Sequence, residues 1–134
     1  MGTGFSGDYK NTQGLLKPEH LMEELRASGN KFTVEDVVMV TKTKKGELVW
    51  LEQGDSSAGL IHIIERHKND LERKYGITEE KIPVFVKDVF TDGIEISSKE
   101  KNNGLEKIYQ YKGEYIVITG VGTNGFIVSI YPGG

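Results

Sequence analysis

The chain has no cysteine in its 134 residues. Disulfide staples, thiol nucleophiles and thiolate metal ligands are therefore excluded, and the fold is indifferent to redox compartment. Proline is scarce, at three, and no apolar run approaches the roughly 20 residues of a membrane-spanning helix. No signal-peptide pattern is read at the start. Positive charge is not in excess either. The 17 lysines and arginines against 20 aspartates and glutamates leave a formal net charge of −3. A protein held on nucleic acid by non-specific attraction is normally basic, so any phosphate-binding surface here must be a local patch.

What is present fits one domain. A chain of this length can bury about two thirds of its unfolded surface in a single core. A hydrophobic fraction of 37%, a charged fraction of 28% and 17 glycines suit an α+β protein with many tight turns. Residues 1–17, rich in Gly, Ser, Asn and Gln, read as a flexible linker or an expression-derived start, and 18–134 as one domain of something longer. Pro18 opens a short amphipathic helix to Ala27, with Leu21, Met22 and Leu25 on its apolar side and His20 on the surface. Val37 to Thr41 and Leu48 to Glu52 form a hairpin around Lys45-Gly46, and the lone Trp50 belongs to the core. Thr78 is a cap candidate for a helix running to about Phe90. Short apolar runs then follow at Ile94–Ser97, Leu105–Tyr111, Tyr115–Thr119 and Phe126–Tyr131, separated by Asn103-Gly104 and Lys112-Gly113 turn signals. Helices followed by a meander predict an α+β fold, with the N-terminal helices packed on one face of an antiparallel β-sheet.

Chemistry concentrates in Gly59-Leu60-Ile61-His62-Ile63-Ile64-Glu65-Arg66-His67. The stretch reads as the start of a helix ending at Gly76, with Asp55, Ser56 and Ser57 as N-cap candidates. His62 and Arg66 lie ~40° apart around such a helix, and His67 is ~140° from His62 on the stripe of Leu60, Ile63, Ile64 and Leu71. A cation beside a histidine favours the neutral imidazole, the form a general base needs. A histidine on an apolar stripe is more often a satisfied core residue. The i, i+5 spacing does not suit a zinc pair, so neither a metal nor a cofactor is expected. The second unusual stretch is Thr119-Gly120-Val121-Gly122-Thr123-Asn124-Gly125. Its backbone amides are candidates to face a phosphate, although an ordinary glycine-rich hairpin loop has the same composition.

Taken in order, Val49-Trp50-Leu51-Glu52, the histidine stretch, Ile108-Tyr109-Gln110-Tyr111 and Thr119 to Val128 resemble the C-terminal nuclease domains of bacterial polymorphic toxins. That group includes contact-dependent growth inhibition effectors, and its fold is the barnase–EndoU–colicin–RelE-like one. Related domains are also fused to phage head proteins. The resemblance spans roughly residues 37 to 131. It implies a metal-independent ribonuclease, often acting on tRNA, delivered from the cell surface into a target cell's cytoplasm and neutralised by a cognate immunity protein. The isolated domain would be a monomer without a membrane anchor. The matching positions are His62, Arg66, His67 and Thr119 for catalysis and Thr123 and Asn124 as donors. Lys107 and Tyr109 stand in as partners if only one histidine reaches the substrate. His62 and Arg66 would open onto one cleft shared with the loop at residues 119 to 125, and an acidic immunity protein would meet Arg66, Lys99, Lys101 and Lys107. The competing expectation is a non-catalytic binding or phage-head-associated module with structural histidines.

Overall fold

The structure, a computed structural model, describes residues 16–133. The expectation of a linker at residues 1–17 falls almost wholly outside them. Leu16 is an exception, because its carbonyl accepts the Val40 N–H (2.9 Å) and its side chain packs on the core. The fold is α+β. Helix α1 (Glu19–Ala27) leads into strands β1 (Val37–Lys42) and β2 (Leu48–Glu52), then α2 (Leu60–Tyr75) and α3 (Ile82–Asp92). Four strands follow: β3 (Ile94–Lys101), β4 (Gly104–Tyr111), β5 (Tyr115–Gly122) and β6 (Ile127–Pro132). The first two strands form an antiparallel hairpin and the last four an antiparallel meander in sequence order.

Side-chain period explains the layers. Along β4 the buried positions are Lys107, Tyr109 and Tyr111, and along β5 Val117, Thr119 and Val121. Successive strand residues point to opposite faces, so these line one face of the meander. Against that face pack Leu60, Ile63, Ile64 and Leu71 of α2 and Ile82, Phe85, Val86, Val89 and Phe90 of α3. A satellite cluster joins Leu21, Met22 and Leu25 of α1 to Val37, Val40 and Trp50. Trp50 is fully buried between Phe32 and Phe126, edge-on to both. Its backbone N–H, donated to the Gly125 carbonyl (3.0 Å), ties the hairpin to the meander.

Several boundaries differ from the sequence expectation. Helix α3 does not begin at Thr78. A 3₁₀ turn spans Glu79–Lys81, and the α-helix starts at Ile82. Pro83 lacks an N–H and fits only a first turn, which forces that restart. Strand β3 continues to Lys101 and β5 to Gly122, because both find backbone partners on β4 as far as Lys101↔Gly104 and Gly104↔Gly122. Much of the glycine-rich stretch is therefore strand rather than loop. Asn102 and Asn103 (φ 52° and 67°) turn the chain between β3 and β4, as a two-residue hairpin with two left-handed positions requires.

The start of α2 also differs, and it positions the site. Asp55, Ser56 and Ser57 do not cap the helix. Asp55 Oδ1 instead accepts from the N–H and Oγ of Ser57 (2.9 and 2.6 Å), closing a small turn. The N-cap residue is Gly59, with no side-chain cap. Its N–H donates to the Val128 carbonyl of β6 (3.0 Å), and the Ile61 N–H donates to the Gln53 carbonyl (3.0 Å). Gly59 has φ 94°, and a Cβ there would stand 2.8 Å from the Glu52 carbonyl oxygen. At the other end Gly76 adopts the left-handed conformation (φ 71°) and its N–H closes onto Glu72, as the C-cap reading required. Gly59→Ala is expected to cost about 1–3 kcal/mol of unfolding free energy, through positive-φ strain and backbone crowding. Urea denaturation checks this, and unchanged stability would show that the helix start is not held this way.

Candidate active site

Because α2 is pinned to β6 at its first turn, its His62–Arg66–His67 side lies beside the sheet. A cleft of about 440 Å³ opens there, walled by these three residues, by Val128, Ser129 and Tyr131 of β6, by Gly120 and Gly122 of β5, and by Lys101 to Glu106 at the β3–β4 turn. The two histidine rings meet edge to face, with centroids 5.8 Å apart. His67 also stacks on Tyr131 at 4.8 Å, with planes 20° apart. The helical angle alone separates the two histidines widely; the side chains close that gap by converging on the cleft.

Each histidine is held differently. His62 Nδ1 lies 3.0 Å from the Ser56 carbonyl. A carbonyl only accepts, so Nδ1 carries the proton and Nε2 is left for chemistry. His67 is half-buried, and its pKa is lowered from the ordinary 6.5, first by burial and then by the nearby His62 and Arg66 charges. Both effects favour its neutral imidazole. Arg66 is exposed and, among the described residues, is committed to no carboxylate. Glu106, absent from the sequence reading, also lines the cleft. Its carboxylate is bound by Lys101 (3.2 Å) and Lys99 (3.4 Å) from β3, and the Lys101 hydrogen bond leads in holding its pKa below the ordinary carboxylate value.

Of the remaining expected site residues, only Thr119 borders the histidine cleft. It is fully buried, and its hydroxyl donates to the Lys107 carbonyl (2.9 Å). It has no hydrogen left for a phosphate. Lys107, Tyr109, Thr123 and Asn124 line a separate chamber of about 470 Å³, bounded by the end of α1, the β1–β2 hairpin and the ends of β4 and β5. The Lys107 ammonium is taken by Glu95 (3.0 Å) and Glu47 (3.3 Å). Burial alone would lower its pKa, and the two carboxylates outweigh burial and raise it. In the glycine-rich turn, the N–H groups of Gly122, Gly125 and Phe126 are spent on Phe126 O, Gly122 O and Asn124 Oδ1 (2.8, 3.0 and 3.1 Å). The expectation that this turn offers its amides to a phosphate fails for those three groups, because the turn uses them to close itself.

Strand alternation could have separated the two sets. Lys107, Tyr109 and Thr119 fall on the core-facing parity of their strands, and Glu106 and Gly120 on the other. Gly120 matters through the room it leaves. A Cβ there would touch only Val128 Cβ at 3.8 Å and Ser129 N at 4.0 Å, ordinary contacts that the fold can accept. Among the described residues, no group of three or more His, Asp or Glu side chains is placed to hold a metal ion.

The depressed His67 pKa predicts a pH-dependent stability. The unfolded chain binds a proton near pH 6.5 and the folded chain only at lower pH. The unfolded state therefore carries more protons in that window, and stability falls as pH drops through it. Unfolding free energy is expected to be at its full value above pH 6.5 and to decline below it, and His67→Gln should flatten that slope. An equal slope in the variant, measured by denaturant titration across the window, would show that His67 is not the group responsible.

In comparisons with known proteins, no family model matches this chain, and no curated protein matches it.

Proposed function

We propose that this domain is an endoribonuclease, cleaving RNA, tRNA in particular, by metal-independent acid–base chemistry. The observation that carries the reading is the convergence of His62 and His67, ring to ring, beside an uncommitted Arg66 in one cleft. Transesterification of RNA needs these three functions. A base removes the 2′-hydroxyl proton, O2′ attacks the adjacent phosphorus, and the P–O5′ bond breaks as an acid protonates O5′. The products are a 2′,3′-cyclic phosphate and a free 5′-hydroxyl. His67, whose neutral form burial favours, takes the proton. His62 acts as the imidazolium, its Nδ1–H anchored on Ser56 and its Nε2–H supplying the proton. Arg66 meets the charge gathering on the phosphoryl oxygens, where a fixed cation in a partly desolvated cleft counts most. Tyr131 holds the base ring flat against the sheet.

The setting proposed with this chemistry is that of a toxin domain, carried by a larger surface-delivered effector into competing bacteria and blocked in the producer by an immunity protein. That partner would be acidic and would read Arg66. Lys99, Lys101 and Lys107 are already paired with Glu106, Glu47 and Glu95 and would contribute less to steering.

Purified domain incubated with total tRNA in EDTA is expected to produce fragments ending in cyclic phosphate and beginning with 5′-hydroxyl. Its rate should be bell-shaped in pH, with the acidic limb set by the base and the alkaline limb by the acid. His62→Ala should keep the fold, lose the alkaline limb and cost roughly 10²–10⁴-fold in rate. Inhibition by EDTA, a flat profile, or full activity in His62→Ala would defeat the reading and favour a binding module with structural histidines.

A further inference from the structure

The chamber on the far side of β4 and β5 carries a separate signature of a ligand. Tyr109 is 2% exposed, lines the chamber, and its hydroxyl has no hydrogen-bond partner. A buried hydroxyl left unpaired is costly, and native proteins rarely leave one without a reason. Its ring is wedged edge-on against Phe90 (5.4 Å), and the neighbouring Lys107, Glu47 and Glu95 are bonded to one another. The volume, about 470 Å³, lies within the range of small-molecule pockets.

Charge decides what kind of ligand suits it. The two carboxylates of Glu47 and Glu95 face the single ammonium of Lys107 beside the Tyr109 hydroxyl, with Lys45 on the outer side of Glu95 (3.0 Å). A phosphate would gain no uncompensated cation here. A neutral, planar group would do better, accepting from Tyr109 and offering an N–H to the half-exposed carboxylate of Glu47. The chamber and the histidine cleft also share a wall, formed by Leu105, Val121 and Gly122. At that wall Gly122 is covered by the Asn124 side chain, whose Oδ1 would stand 2.8 Å from a Cβ at Gly122.

We propose that this chamber is a nucleobase pocket, receiving a base of the same RNA strand whose phosphate lies in the histidine cleft, with Tyr109 as the buried hydrogen-bonding group that reads it. This rests on the ribonuclease reading for the strand's path past the shared wall, but not for the binding of the base itself. Tyr109 is a specificity residue, distant from the reacting atoms.

The test uses the whole chain and the four free ribonucleosides, followed by amide NMR, with an uncleavable 2′-deoxy oligonucleotide as the second arm. At least one nucleoside is expected to shift Thr123, Asn124 and Gly125 saturably and to leave His62 and His67 unmoved. The oligonucleotide should shift both groups. Tyr109→Phe keeps the ring packing and removes only the unpaired hydroxyl. It should weaken nucleoside binding roughly tenfold, the worth of one buried hydrogen bond, while leaving unfolding stability equal or higher. A purely structural tyrosine would show unchanged binding in Tyr109→Phe, and that result overturns the proposal. So does the absence of chamber shifts with every nucleoside, or an oligonucleotide that moves only the cleft. Chamber binding without RNA cleavage would sink the ribonuclease reading instead and leave the pocket standing.

Discussion

The backbone hydrogen bond from Gly59 N–H to the Val128 carbonyl (3.0 Å) fixes where α2 begins relative to β6, and most of the site's geometry follows from it. A helix start normally relies on a side-chain cap to satisfy its first N–H groups. Here the sheet edge and the Gln53 carbonyl do that work. The helix is thereby positioned from a strand, and the residues one and two turns later, His62, Arg66 and His67, are delivered to the strand's flank. Glycine is required at 59 because the chain passes there with positive φ against the Glu52 carbonyl.

Two cavities of similar size result, with opposite electrostatic characters. The cleft keeps an uncommitted arginine and a histidine pair split by environment, one ring anchored on a carbonyl and the other stacked and half-buried. The chamber keeps a lysine neutralised by two carboxylates and a tyrosine with nothing to bond. The local patch that the negative net charge demanded is therefore very small: Arg66, with Lys99 and Lys101 screened by Glu106. A chain of net charge −3 has little long-range attraction for RNA, so the RNA binding proposed above would have to come from close contacts.

The α+β class, the helical span to Gly76, the hairpin turns and the burial of Trp50 were legible in the sequence, because each has a local cause: apolar period, a left-handed C-cap, paired turn residues. The pairing of His62 with Arg66 was legible for the same reason. The convergence of His62 with His67 was not, since it depends on Tyr131, more than 60 positions away. The burial of Thr119 and Lys107 follows from strand parity, which sends both side chains to the core face and which no motif reveals. Asp55 and the serines looked like caps by composition, and only the strand bond at Gly59 made a cap unnecessary. Glu106 carried no motif, and its place appears only once β3 and β4 are paired.

Whether the two histidines form one chemical unit is most directly tested by NMR titration of both imidazole rings, alone and with an uncleavable 2′-deoxy oligonucleotide. A working pair under a bound phosphate predicts that both rings shift on binding and that His67 takes up a proton at higher pH than in the free protein, because the anion offsets the nearby positive charge. If neither ring responds to the oligonucleotide, and His67 titrates identically with and without it, the helix carries structural histidines and the cleft is not a catalytic site.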